Sequence, residues 1–128
     1  MTMKLFLADL ASDDKGVAAV EFALVASVFF TMLFGAMASS IMGYSVTSMN
    51  SAVESAARCR AMGTTCTDKA TTEAYALTKF HNVSGQTAVF SYDGLQTCGY
   101  QVSATLNYNF NWILSSSTIP FTAKACFG

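Results

Sequence analysis

Few residues in this chain have the means for chemistry, and their spacing sorts them quickly. The thiols are Cys59, Cys66, Cys98 and Cys126, and the only imidazole is His81. Three of the cysteines with His81 would make a zinc donor set, yet no C-x-x-C pair is present and the spacing is wide. An even number of cysteines in a small exported unit reads instead as two disulfides, with three possible connectivities. Asp13 and Asp14 sit in a short charged segment and are read as solvated. Neither a G-x-S-x-G elbow nor a paired acid and base accompanies His81, so catalytic residues, cofactor and metal are all set at none. One carboxylate stands apart. Glu21 is the last charge before a stretch, Phe22 to Val53, that contains no charged residue at all. A carboxylate at the edge of such a segment is costly in lipid and is a functional candidate for that reason.

The element that positions Glu21 follows from the composition around it. Phe22 to Tyr44 is mostly apolar, and as a helix its roughly 23 residues span about 35 Å, enough to cross a bilayer with some tilt. Small residues recur at every fourth place: Ala19, Ala23, Ser27, Thr31, Gly35, Ser39, Gly43, Thr47 and Ser51. Positions four apart are neighbours on a helix, and such ridges let membrane helices approach closely. Gly35, Ser39 and Gly43 are therefore candidate helix-packing residues. Because four residues overshoot a turn, the ridge winds round the helix and suits several neighbours better than one.

Beyond the span the pattern turns amphipathic. Val46, Met49, Val53, Ala56, Ala57 and Arg60 share a stripe opposite Ser48, Asn50, Ser51, Glu54 and Ser55. The spacing predicts one helix over 17–62, with Gly16 breaking helix continuity before it and Gly63 as its C-cap. A shorter helix is expected from Asp68 to His81, with Thr67 as N-cap and His81 in a capping or surface role. Asn82-Val83-Ser84 has the form of a glycosylation sequon, a frequent chance match.

Strands follow. Thr87 to Tyr92 is one, with a turn at Asp93-Gly94. Then Cys98, Tyr100, Val102, Ala104, Leu106, Tyr108 and Phe110 alternate with polar neighbours, as a half-buried antiparallel strand requires. A loop is expected over 115–118 and a last strand over 121–127, with Pro120 at its start. Its apolar parity places Cys126 on the face of Thr122 and Lys124, whereas Cys98 lies on the apolar side of its own strand. Pairing Cys59 with Cys66 needs only the turn at Gly63. Pairing Cys98 with Cys126 needs a bulge or a strand end. That connectivity is preferred.

The expected fold class is α+β: a long N-terminal transmembrane helix continuing into a small head of one further helix and a short antiparallel sheet. The expected organisation is a leader over 1–16, the long helix over 17–62 with its span about 22–44, and a disulfide-bonded unit over 63–128. So small a unit leans on cross-links or a partner for stability. The net charge of −1 supplies no basic field, which argues against nucleic acid as a partner.

Gly16-Val17-Ala18-Ala19-Val20-Glu21-Phe22, with the uninterrupted apolar helix and the Ala56-Ala57-Arg58 run after it, resembles a processed pilin or pseudopilin. The likeness is specifically to the TadE-like proteins of tight-adherence (Flp/Tad) pilus systems. The resemblance implies cleavage between Gly16 and Val17 by a membrane prepilin peptidase, leaving Glu21 as the fifth residue with Phe22 beside it as an assembly determinant. It implies a minor structural subunit rather than the main filament protein, because major pilins of these systems are much shorter. Its implied partners are other pilins or pseudopilins, the pilus assembly platform and inner-membrane lipid. It also implies a single pass through a bacterial inner membrane, leader in the cytoplasm and head in the periplasm or at the cell surface. Charge does not set that orientation, since Lys4 and Lys15 on one side face Arg58, Arg60 and Lys69 on the other. Two other functions fit parts of the sequence. A secreted protein would be released after Ala38, the end of an Ala36-Met37-Ala38 site, although the segment before the span is acidic where a signal is basic. A membrane-tethered binding module of the cell envelope would use no filament.

Overall fold

The structure, a computed structural model, describes residues 14–112 and 115–128, with the backbone alone at 14, 15, 111, 112 and 115. Most of the expected leader, residues 1–13, lies outside the described residues. The element order is α1 (Asp14–Met62), α2 (Lys69–Lys79), β1 (Ala88–Gln96), β2 (Gly99–Trp112) and β3 (Ser115–Phe127). The three strands form one antiparallel sheet in the order β1-β2-β3. The fold is α+β, with a long apolar N-terminal helix, a second helix and a three-stranded meander. The chain divides into two compact units, Met1–Ser39 and Ser40–Gly128.

In the first unit α1 begins earlier than its pattern suggests. Asp14, Lys15 and Gly16 are already helical, so Gly16 lies inside the helix and does not interrupt it. A single glycine costs a helix only about 1 kcal/mol relative to alanine, too little to break a long run of good helix formers. The side chains of this unit point outward all round. Phe22, Leu24, Val25 and Phe34 are each about two-thirds exposed or more. The Phe30 ring lies between those of Phe29 and Phe34, with centroids 5.7 and 6.3 Å away.

The second unit has a core. Met49, Ala52, Val53, Ala56 and Ala57 of α1 pack with Ala76 of α2 and with Ala88, Phe90, Val102, Ala104, Leu106 and Ala123 of the sheet. The alternation of β2 holds: Val102, Ala104 and Leu106 are buried while Thr105 and Asn107 are exposed. Alanines dominate the helix side of this core. The larger Met49, Val53 and Leu106 are fully buried and fill the volume that the small side chains leave. Gly63 ends α1 at φ +66, its N–H donating to Cys59 O at 3.1 Å.

Four local expectations are corrected. The N-cap of α2 is Asp68, not Thr67. Its carboxylate accepts from Thr71 N at 2.8 Å while Thr71 Oγ1 accepts from Asp68 N at 3.1 Å, a reciprocal cap. The helix also stops at Lys79, with Phe80 as C-cap and His81 beyond it. Asp93-Gly94 is no turn but a bulge inside β1, where the pairing skips from Tyr92↔Val102 to Gly94↔Gln101. The hairpin closes later, at Thr97-Cys98 between the paired Gln96 and Gly99. Finally, 115–118 is strand, and Pro120 lies in the middle of β3 opposite Asn107. The proline is tolerated because β3 is an edge strand.

Candidate membrane and assembly helix

Lipid contact and helix packing both depend on what α1 presents to its surroundings. Within it, residues 16–62 are long and apolar enough to cross a membrane, and the most apolar window buries nothing against the rest of the chain. An apolar surface of this extent is untenable in water and has to be covered by lipid or by other helices. Leu24, Val25, Val28, Phe29 and Met32 line an open, almost wholly apolar groove on it.

Thr31, Ser39 and Thr47 of the small ridge are already satisfied. Thr31 Oγ1 donates to Ser27 O at 2.7 Å, Ser39 Oγ to Gly35 O at 2.8 Å and Thr47 Oγ1 to Gly43 O at 2.9 Å. Each hydroxyl is thus returned to its own helix, one turn back, which is how such residues enter hydrocarbon without an unmet donor. Gly35 and Gly43 each face open space, with nothing within 4 Å of where a Cβ would stand. That leaves room for a neighbouring backbone to approach at either glycine.

Glu21 is exposed on the helix, with Phe22 beside it at 75% exposure. Val17 lies one turn before Glu21 on the same helix, at 60% exposure. The structure therefore places Gly16, Val17, Glu21 and Phe22 on consecutive turns of one continuous helix.

At the other end of α1 the cysteines are bridged as Cys59–Cys66 and Cys98–Cys126, with Cα atoms 5.6 and 5.9 Å apart. No thiol is left to ligate zinc. Cys98 reaches Cys126 from the turn at the end of β1, the strand-end solution to the parity conflict. The approach there is tight: a Cβ on Gly99, at φ +115, would stand 2.4 Å from Phe127 O. Arg60 organises the other end. Its Nη1 donates to Cys66 O at 3.1 Å and to Thr67 O, and its guanidinium lies 5.4 Å from both the Tyr92 and the Tyr100 ring centroids. The guanidinium thereby ties the end of α1, the disulfide loop and the sheet together. Sequence reasoning placed Arg60 only as a member of the apolar stripe, and a lone charge in that stripe was the available signal. His81 takes part through its backbone N–H, which donates to Ser48 Oγ at 2.8 Å, while its side chain is exposed.

A protein-family model described as TadE-like protein matches residues 16–58, about one third of the chain. Over that segment the chain is similar to TadE-like proteins. The matched segment is nearly all of α1, from Gly16 to the arginine one turn before the helix ends. No curated protein and no solved structure matches the chain. The helix that carries this likeness is long and apolar enough to suit a membrane anchor. The sheet-bearing unit after Arg58 lies outside the match, so its cysteines, Arg60 and hairpins are described from this chain alone.

Proposed function

We propose that this chain is a minor structural subunit of a tight-adherence pilus assembly. In this reading a prepilin peptidase cuts between Gly16 and Val17, and the new chain packs among other pilin or pseudopilin helices through α1. Its partners are those subunits, the assembly platform, the peptidase and inner-membrane lipid, with the disulfide-bonded unit on the periplasmic side. The observation that carries it is Glu21, a lone carboxylate at the edge of a charge-free stretch, 22–53, whose most apolar window the chain itself leaves uncovered. Holding a carboxylate in the membrane interior costs roughly 2.5–3.5 kcal/mol, less at the edge, so a compensating cation is expected. Cleavage before Val17 creates one, an ammonium one turn from Glu21. In an assembly the amine of an incoming subunit meets the same carboxylate. Such a pair sets register more dependably than it adds stability.

The test is Glu21→Ala. The variant is expected to insert in the membrane and lose its leader normally, yet fail to co-purify with pilus components. Recovery of the assembly at the wild-type level, with normal leader removal confirmed, would sink the pairing role of Glu21.

A further inference from the structure

The sheet has two edges, β1 and β3, and the chain treats them differently. At the outer edge of β1, α2 lies alongside, Glu73 Oε1 accepts from Tyr92 N at 3.0 Å, and the bulge at Asp93 breaks the ladder. A covering helix, a bulge and a capping charge are devices that keep a sheet edge from recruiting another strand. The outer edge of β3 has no such cover over 121–127. Among the described residues, no helix, loop or side chain hydrogen-bonds to its backbone there.

The Tyr92 bond also fixes which backbone groups of β3 face outward. Along an antiparallel strand, successive residues turn their N–H and C=O to alternate sides. Tyr92 N points away from β2, so Tyr92↔Val102 is not a hydrogen-bonded pair, and Val102 turns its groups towards β3. Val102↔Ala125 is then a hydrogen-bonded pair, which leaves the backbone groups of Thr122, Lys124 and Cys126 facing out of the sheet. Pro120 has the same parity. Its missing N–H therefore costs the sheet nothing and marks where the open ladder ends. On the core side of this edge, Phe121 and Ala125 are only partly buried beside the buried Ala123. On the other side Thr122 and Lys124 are exposed, and Lys124 belongs to no ion pair among the described residues.

We propose that the β3 edge over 121–127 takes an added antiparallel strand from another protein, with a carboxylate opposite Lys124 and apolar side chains opposite Ala123 and Ala125. Backbone bonds to Thr122, Lys124 and Cys126 supply the affinity of such an addition, and the alternating side chains supply its selectivity. A residue opposite Lys124 shares its outer face, where opposite charges on neighbouring strands attract. The residues on either side of it lie over the core face and complete the cover of Phe121 and Ala125, which removes further apolar area from water. A second copy of this chain does not supply that strand. Lys124 is the only charged residue of β3, so no register sets it against a carboxylate of another β3. The β1 of a second copy is closed by its own Glu73 and α2. The proposal rests on the sheet alone and on neither the membrane span nor the pilus reading.

The probe is a synthetic peptide, Thr-Val-Thr-Val-Glu-Val-Thr with blocked ends, added to the full chain in detergent micelles with both bridges intact. Amide exchange is followed residue by residue. Slowed exchange is expected at Thr122, Lys124 and Cys126, with Ala88 and Phe90 on the β1 edge unchanged. A peptide with lysine in place of the glutamate should bind several-fold more weakly, and Lys124→Glu should reverse that preference. Thr122→Pro should keep the sheet, because that N–H bonds nothing within it, yet lose the peptide. If this variant unfolds, the reversal by Lys124→Glu decides. Unchanged exchange along β3, protection along β1 instead, or a preference that Lys124→Glu leaves unmoved overturns the proposal. Protection of the same amides without peptide, growing with protein concentration, also overturns it, since the edge then pairs copies of this chain.

Discussion

At the scale of single residues, Arg60 and Asp68 hold the short loop between the helices. The Arg60 guanidinium gives charge-assisted bonds to Cys66 O and Thr67 O and stands near two tyrosine rings. Hydrogen bonds from a charged donor contribute about 1.5–3 kcal/mol, and an exposed cation–π contact adds about 0.5–1. Arg60→Ala in the detergent-solubilised protein should therefore lower unfolding stability by about 2–3 kcal/mol in a urea titration. Arg60→Lys should recover only part of it, because an ammonium cannot reach two carbonyls and two rings from one plane. Asp68 makes a pH-dependent contribution. Bonds from Thr71 N and the Thr71 hydroxyl, with Arg60 nearby, hold its carboxyl below the ordinary aspartate value of 3.8. The cap is thus fully present above pH 3.8 and lost as pH falls through the lower folded value. Amide exchange in 69–79 should quicken in acid below that point, and Asp68→Asn should flatten the dependence.

At the scale of elements, the two disulfides differ in loop length and in access. The chain-entropy relation gives about 2.4 kcal/mol for a seven-residue closure and about 3.6 for one of 28, the separations of Cys59–Cys66 and Cys98–Cys126. Cys59 and Cys66 are buried, whereas Cys98 is exposed. Thiol labelling of the native protein should find no free cysteine. Graded reduction with mass mapping should then open Cys98–Cys126 first, with the larger loss of stability. Opening of Cys59–Cys66 first would contradict the burial pattern. The elements also show what was legible in the sequence. Periodicity located α1, the core stripe from Met49 to Ala57 and the buried parity of β2, since each repeats over many residues. What it missed was decided by contacts between distant segments. The hairpin closes at Thr97-Cys98 rather than Asp93-Gly94, next to the close approach of Gly99 to Phe127, and its register leaves Asp93 in a bulge. β3 extends back through 115–118 because β2 is there to pair with it, a fact no local polarity records. Glu21 was legible as an isolated charge, whereas Arg60 needed the loop and the sheet in place before its role could be seen.

At the scale of the whole molecule, the chain divides between a helix that needs a membrane or other helices around it and a small cross-linked unit with its own core. The family match supports the first part and stops at Arg58. The second part carries two bridges, the Arg60 junction and a stretch, 94–123, without charged residues. In the proposed function, α1 becomes available for assembly through removal of what precedes Val17. The intact mass of the protein isolated from cell envelopes tests it most directly. The account predicts a mature chain beginning at Val17, and Gly16→Leu should leave the leader attached. A wild-type mass beginning at Met1 would indicate an uncleaved tether, and one beginning at Ser39 a released secreted protein; either would contradict the account.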